Sequence, residues 1–163
     1  MTNDVLEQLY IKYNRELYLY AVSLCRNYHQ AQDLVSETFF KALLSYDSDT
    51  TYFKFWLFRV CKNIYIDKVR KNKDCENLNE AIFTTRETPL DNIIDNEERM
   101  KLYNLVVNLH PSSYKEIIIL YYYCDFSLKE IAETTGFTEG AAKTLLFRAR
   151  RKLKAILEVE NEL

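Results

Sequence analysis

The sequence predicts an all-α protein of two small helical domains joined by an acidic linker, the second domain built on a helix-turn-helix. Three observations carry this. Gly and Pro number only two each in 163 residues, too few for the turns of an all-β chain. Apolar residues recur at i, i+3, i+4 and i+7 along several stretches, the stripe of amphipathic helices. Between those stretches, Lys73 to Glu98 carries eight acidic and two basic residues around Pro89. That segment has no sustained apolar period and reads as a tether. The limits that follow are 1–72, a linker over 73–95, and 96–163. Each domain lies near the lower size for independent stability.

In the first domain, Leu6, Leu9, Tyr10, Tyr13, Leu17, Tyr20, Ala21 and Leu24 predict a helix over residues 4–28. A second helix follows over roughly 30–45. Gln32, Asp33, Ser36, Glu37 and Lys41 face outward there. Leu34, Val35, Phe39, Phe40 and Leu43 are candidates for burial but do not make one narrow stripe, so some of them are open to a protein contact. Tyr46 to Thr51 is a polar break rich in turn and capping residues. Phe53 to Lys71 is apolar almost all the way round, which predicts a helix central to its domain. Arg59, Asn63 and Arg70 share one side with Trp56. The basic last turn, with Lys68, Arg70 and Lys71, suits both the helix dipole and nucleic-acid contact.

Leu90, Ile93 and Ile94 are placed to begin a helix near the end of the linker, and in the second domain Met100, Leu102, Tyr103, Leu105, Val106 and Leu109 make another. It stops before His110-Pro111, because proline disfavours the α region in the residue ahead of it. Ile117 to Tyr123 has strand propensity, but its helical neighbours favour a helix over 112–123. Ser127 and Glu130 form a capping box, Gly136 supplies the turn and Thr138 caps the next helix. Between Lys143 and Lys154 stand six Lys/Arg and no Asp or Glu. Ala142, Leu145, Leu146, Ala149 and Leu153 share one side of this helix. Lys143, Thr144, Phe147, Arg148, Arg151 and Lys154 share the other. A phenylalanine amid cations suits a major groove, where it meets a thymine methyl while Lys and Arg reach guanine and phosphate.

Other function classes find little support. Net charge is −2, so nucleic-acid binding must come from local charge. Cys25, Cys61, Cys75 and Cys124 are widely spaced, and His29 and His110 are the only histidines. No metal spacing results, and free thiols in a reducing compartment are expected. Asp4 and Glu7 interrupt any signal peptide, and the apolar run Ile117–Cys124 is too short to span a bilayer. A cytoplasmic protein is expected. No nucleophile–base pair or Gly-rich phosphate loop occurs. Asp33 and Glu37 make an i, i+4 carboxylate pair of a kind common on helix surfaces. The expectation is no enzyme, no cofactor, no metal and no small-molecule substrate.

Two blocks of the chain resemble bacterial RNA polymerase sigma factors of the extracytoplasmic-function type. Ala31 to Ala42 is similar to the family's core-polymerase-binding helix. Phe53 to Lys71, with Trp56, Arg59, Asn63, Ile66 and Asp67, is similar to its −10-element helix. Pro111 through Lys154 is similar to its −35-binding domain. The resemblance implies that Asp33, Leu34, Val35, Glu37, Thr38 and Phe39 face core RNA polymerase. It implies that the loop from Tyr46 to Tyr52, in particular Asp49, Thr50, Thr51 and Tyr52, captures a flipped base of promoter DNA, with Arg59, Lys62 and Asn63 holding the strand. Lys143, Thr144, Phe147, Arg148, Arg151 and Lys154 would read the −35 element. It implies an anti-sigma factor, usually membrane-anchored, as a further partner. Gln32 and Ser36 depart from the family's usual Glu and Gln, Ala141-Ala142 from a common Thr-Val, Leu145 from an Arg and His110 from a Leu. The competing reading, an autonomous helix-turn-helix regulator, leaves residues 30–71 without a role.

Overall fold

A computed structural model describes residues 2–46, 50–72, 93–94 and 96–162. The expected linker, apart from Ile93 and Ile94, lies outside the described residues, and so does Asp49. All regular structure among the described residues is helical. The chain packs as two compact units, Met1–Asn79 and Glu80–Leu163.

The first unit holds three long helices. Helix α1 (Asn3–Cys25) starts at Thr2, whose hydroxyl accepts from the Val5 N–H at 3.4 Å. It ends where Arg26 takes a left-handed backbone, φ 51°. The Asn27 side chain then accepts from the Gln30 N–H at 3.0 Å, which starts α2 (Tyr28–Ser45) ahead of the expected Gln30. This cap cuts short the helix expected through residue 28. A 3₁₀ turn, Thr50–Tyr52, leads into α3 (Phe53–Lys71).

The stretch buried on all sides lies in the second half of α1, not in α3. Leu17 to Ser23 are buried without a break, and both α2 and α3 pack on α1. Helix α3 buries only Phe53, Leu57, Phe58 and Cys61, in its first half, while Ile66 and Val69 further along are exposed. Its apolar periphery therefore divides into a core half and a solvent-facing half. Tyr20 meets Phe58 with ring centroids 5.2 Å apart, and Tyr46 meets Phe53 at 5.1 Å and Trp56 at 4.9 Å. Such ring pairs add about 0.5–1.5 kcal/mol beyond their burial. The ion pairs Lys54–Glu16 at 3.3 Å and Lys68–Glu37 at 2.9 Å tie α3 to α1 and α2.

In the second unit, α4 (Glu97–Val107) begins at Asn96, whose side chain accepts from the Glu98 N–H at 2.7 Å. Ile93 and Ile94, expected to begin a helix, stand outside any helix. Helix α5 (Ser112–Ile118) passes into a π-helical turn, Ile119–Tyr123, so the β-prone run is helical. Its fit is tight: Ile117 to Leu120 are buried, and Tyr123 meets Tyr103 of α4 edge-on at 5.3 Å. Helices α6 (Leu128–Thr135) and α7 (Glu139–Glu162) complete the unit, with α5 and α6 both packed on α7.

Burial pushes the Cys61 thiol and the Tyr18 and Tyr123 phenols up to about 12. The folded chain keeps these protons at pH values where the unfolded chain releases them, near 9 for the thiol and about 10 for the phenols. Their contribution to stability is complete below about pH 8 and is lost as pH rises through about 9 to 12. Melting temperature should decline over that range, and Cys61→Ala should delay the onset to the phenol range. A melting temperature level from pH 8 to 11 contradicts this account.

Candidate nucleic-acid interface

The helix-turn-helix is assembled by short-range hydrogen bonds. Ser127 Oγ accepts from the Glu130 N–H at 3.1 Å, and a Glu130 carboxylate oxygen accepts from the Ser127 N–H at 2.9 Å. Two otherwise unmatched donors at the start of α6 are satisfied together. Gly136 ends α6 at φ 84°, and its N–H donates to the Ala132 carbonyl at 2.9 Å. A Cβ there would meet nothing within 4 Å, so the need for glycine is conformational. Thr138 Oγ1 accepts from the Ala141 N–H at 3.0 Å and caps α7.

These constraints present α7 with one side inward. Ala142, Leu146 and Ala149 are buried and Leu145 and Leu153 half-buried. Lys143, Thr144, Phe147, Arg148, Arg151 and Lys154 are all exposed, as the face sorting predicts. Phe147 is 59% exposed, with the Arg151 guanidinium 5.8 Å from its ring centre. The six cations of this helix divide four and two. Arg150 and Lys152 do not join the outer face; their side chains turn to tyrosines of α5 and the π turn.

In the first unit, Thr50, Thr51 and Tyr52 stand exposed in the 3₁₀ turn, and Asp49 lies outside the described residues. Arg59 and Asn63 are exposed and Lys62 is half-buried. At about 100° per residue, Arg59, Asn63, Ile66 and Arg70 form one stripe along α3. The half-buried Trp56, packed against Tyr46 and Phe53, lies where the turn enters that helix.

The structure divides the polymerase-facing set. Leu34, Val35, Thr38 and Phe39 are buried in the unit's core, with Phe39 also reaching the wall of a surface cleft. Thr38 donates to the Leu34 carbonyl at 2.6 Å. Asp33 and Glu37 are exposed, with Glu37 paired to Lys68. The physical reason is helical phase. Ala31, Leu34, Val35, Thr38, Phe39 and Ala42 repeat as i, i+3, i+4, i+7, i+8 and i+11, the pattern of a buried stripe. Asp33, Glu37, Phe40 and Leu44 repeat as i, i+4, i+7 and i+11 on the opposite side. Phe40 and Leu44 are 61% and 69% exposed. A phase count over the motif finds both, whereas motif matching passes over Leu44. Phe40 also borders an apolar cleft that includes Leu6, Tyr10, Phe39 and Leu43.

Among the described residues, no group of three His, Cys, Asp or Glu could hold a metal ion. No described helix is long and apolar enough to cross a membrane.

Two family models match the chain in order: sigma-70 region 2 over residues 9–74 and sigma-70 region 4 over residues 108–153. The ECF RNA polymerase sigma factor SigM of Bacillus subtilis is 31% identical, covering 93% of this chain and 94% of its own. The ECF RNA polymerase sigma factor SigW of Bacillus subtilis is 28% identical, covering 87% of this chain and 83% of its own. Among solved structures, the sigma factor RpoE of Bartonella quintana, in complex with the anti-sigma factor NepR, superposes with a TM-score of 0.71. It is 25% identical and covers 97% of this chain and 99% of that one.

Two substitutions separate folding from reading. Ser127→Ala removes the reciprocal cap and should lower unfolding free energy by about 1 kcal/mol. Phe147→Ala should change it by less than about 0.5 kcal/mol, because the ring is largely exposed. Urea unfolding measures both, and a larger loss for Phe147→Ala would mean that this ring belongs to the core.

Proposed function

The chain belongs to the extracytoplasmic-function RNA polymerase sigma factors, and we propose from that premise how its surfaces divide the work. As a member of that family it is an alternative sigma factor, a transcription-initiation subunit that binds core RNA polymerase and directs it to particular promoters. In our reading, residues 1–72 bind core enzyme and the −10 element, residues 96–163 bind the −35 element, and 73–95 link them.

The observation that carries the −35 assignment is the exposed face of α7. Lys143, Arg148, Arg151 and Lys154 surround exposed Phe147 with no carboxylate among them. Cations there bind phosphates and guanine edges, and the ring meets a thymine methyl. Affinity from this source is salt-dependent, and four cations displace few counterions. Most of the binding free energy must therefore come from core enzyme. For the −10 element, exposed Tyr52 and the turn residues Thr50 and Thr51 are suited to stack and bond a flipped base, with Asp49 included on the resemblance alone. Arg59, Lys62 and Asn63 hold the strand beside them.

For core enzyme, the proposed contact is the outward stripe of Asp33, Glu37, Phe40 and Leu44. Leu34, Val35, Thr38 and Phe39 shape it from beneath. An acidic and apolar stripe suits a partner helix carrying cations and aliphatic side chains. The family has no chemistry of its own, and we assign this chain none. We assign it to the cytoplasm, where core enzyme acts. RpoE was solved with the anti-sigma factor NepR, which supports an anti-sigma partner here; membrane anchorage of that partner is our further expectation.

Run-off transcription with purified core enzyme tests the reading. The protein should direct initiation from an ECF-type promoter. Phe147→Ala with Lys143→Ala should lower −35-dependent transcription about tenfold or more while core binding is unchanged. Phe40→Asp with Leu44→Asp should weaken core binding by a similar factor. Tight operator binding by the chain alone, without any core binding, would instead establish an autonomous regulator.

A further inference from the structure

Two cations of α7 are turned away from its outer face, and both are held. The Arg150 guanidinium lies 5.6 Å from the ring centre of Tyr121 and 5.4 Å from that of Tyr122. Its Nε also donates to the Tyr122 hydroxyl. Lys152 Nζ lies 5.9 Å from the Tyr114 ring centre and donates to the His110 carbonyl. At about 100° per residue, Arg150 and Lys152 fall on opposite flanks of the buried stripe Ala142, Leu146, Ala149.

The π turn explains how the tyrosines reach their places. The Cys124 N–H donates to the Ile119 carbonyl, five residues back, at 3.0 Å. The wider ring changes the phase of the residues it contains. Tyr123 goes inward to Tyr103, while Tyr121 and Tyr122 go to Arg150. Tyr122 is 52% exposed, so burial of the ring does not account for its position.

We propose that Arg150 and Lys152 are positioning residues for promoter reading: they pin α7 on both flanks and fix its rotation about its own axis. Two alanines and a leucine make a shallow seam, and apolar contact alone is non-directional. A rotation of about 20° carries a side-chain tip about 5–6 Å from the axis through about 2 Å. Hydrogen bonds to base edges do not survive such a shift. A pin on each flank opposes rotation in both senses. Arg150 is the stronger pin, because its planar guanidinium meets two rings and donates in a fixed fork, whereas the Lys152 ammonium is a rotatable point charge over one ring.

The inference rests on the −35 reading proposed above. The test uses the full chain with core enzyme, on a promoter with an intact −35 element and on one with that element scrambled, over a range of salt. Arg150→Lys keeps the charge and loses the planar fork. It should reduce the preference for the intact element about three- to tenfold and leave the salt slope and core binding as in wild type. Tyr122→Leu should do the same, and the double variant should lose little more than either alone. Arg150→Lys that discriminates as wild type does, with Arg150→Ala flattening the salt slope by about one, would make Arg150 a phosphate contact and overturn the proposal. Wild-type protein that bound core and ignored the −35 sequence would overturn both the proposal and the reading beneath it.

Discussion

The close seam of α7 against α5 and α6 is the contact on which the outward cationic surface depends. Ala142 and Ala149 are fully buried, and side chains this small let helix backbones approach. The seam takes up one side of α7, so the cations are left on the other. Lys143, Arg148, Arg151 and Lys154 repel one another across a few turns of helix. In water that repulsion is a modest cost, and a phosphate backbone converts it into attraction. The same constraint demands accurate ends. The capping box at Ser127, the left-handed Gly136 and the Thr138 cap fix where α6 stops and α7 starts, and hence which side of α7 faces the seam.

The first unit solves a different problem with the same geometry. One side of α2 carries Ala31, Leu34, Val35, Thr38, Phe39 and Ala42 into the core against α1 and α3. The opposite side carries Asp33, Glu37, Phe40 and Leu44 to solvent. Burial of the first set is what presents the second. Glu37, paired with Lys68 of α3, links the outward stripe of α2 to the helix proposed to hold the −10 strand. The pair is exposed and contributes little to stability. With a net charge of −2, attraction to nucleic acid is confined to local faces such as that of α7. Two weak contacts with one promoter become a strong one only when a third body fixes their separation. In this family that body is core enzyme.

What could be read from the sequence follows from the range of the interactions involved. The helix-turn-helix was legible to individual hydrogen bonds, because its caps and turn span three or four residues and use distinctive residue types. The exposed face of α7 was legible for the same reason, since periodicity sorts a helix once its start is known. The outward side of α2 was read correctly through Gln32, Asp33, Ser36, Glu37 and Lys41, all exposed, but Leu44 was passed over. A motif match names consecutive residues, and consecutive residues on a helix point in different directions. Helix α3 misled through composition: its apolar residues suggested a central element, but the burial on all sides belongs to Leu17 to Ser23 of α1, whose tyrosines and serine look less apolar. The π turn at Ile119–Tyr123 has no sequence signature, so the pairing of Arg150 with Tyr121 and Tyr122 could come only from coordinates.

The central claim is that neither unit holds a promoter unaided and that core enzyme makes one reader of the two. Footprinting of one promoter fragment by this chain, with and without core RNA polymerase, tests it most directly. The account predicts protection of both the −35 and −10 elements with core enzyme, and no sequence-specific protection by the chain alone at the same concentration and physiological salt. Protection of both elements by the chain alone would contradict it.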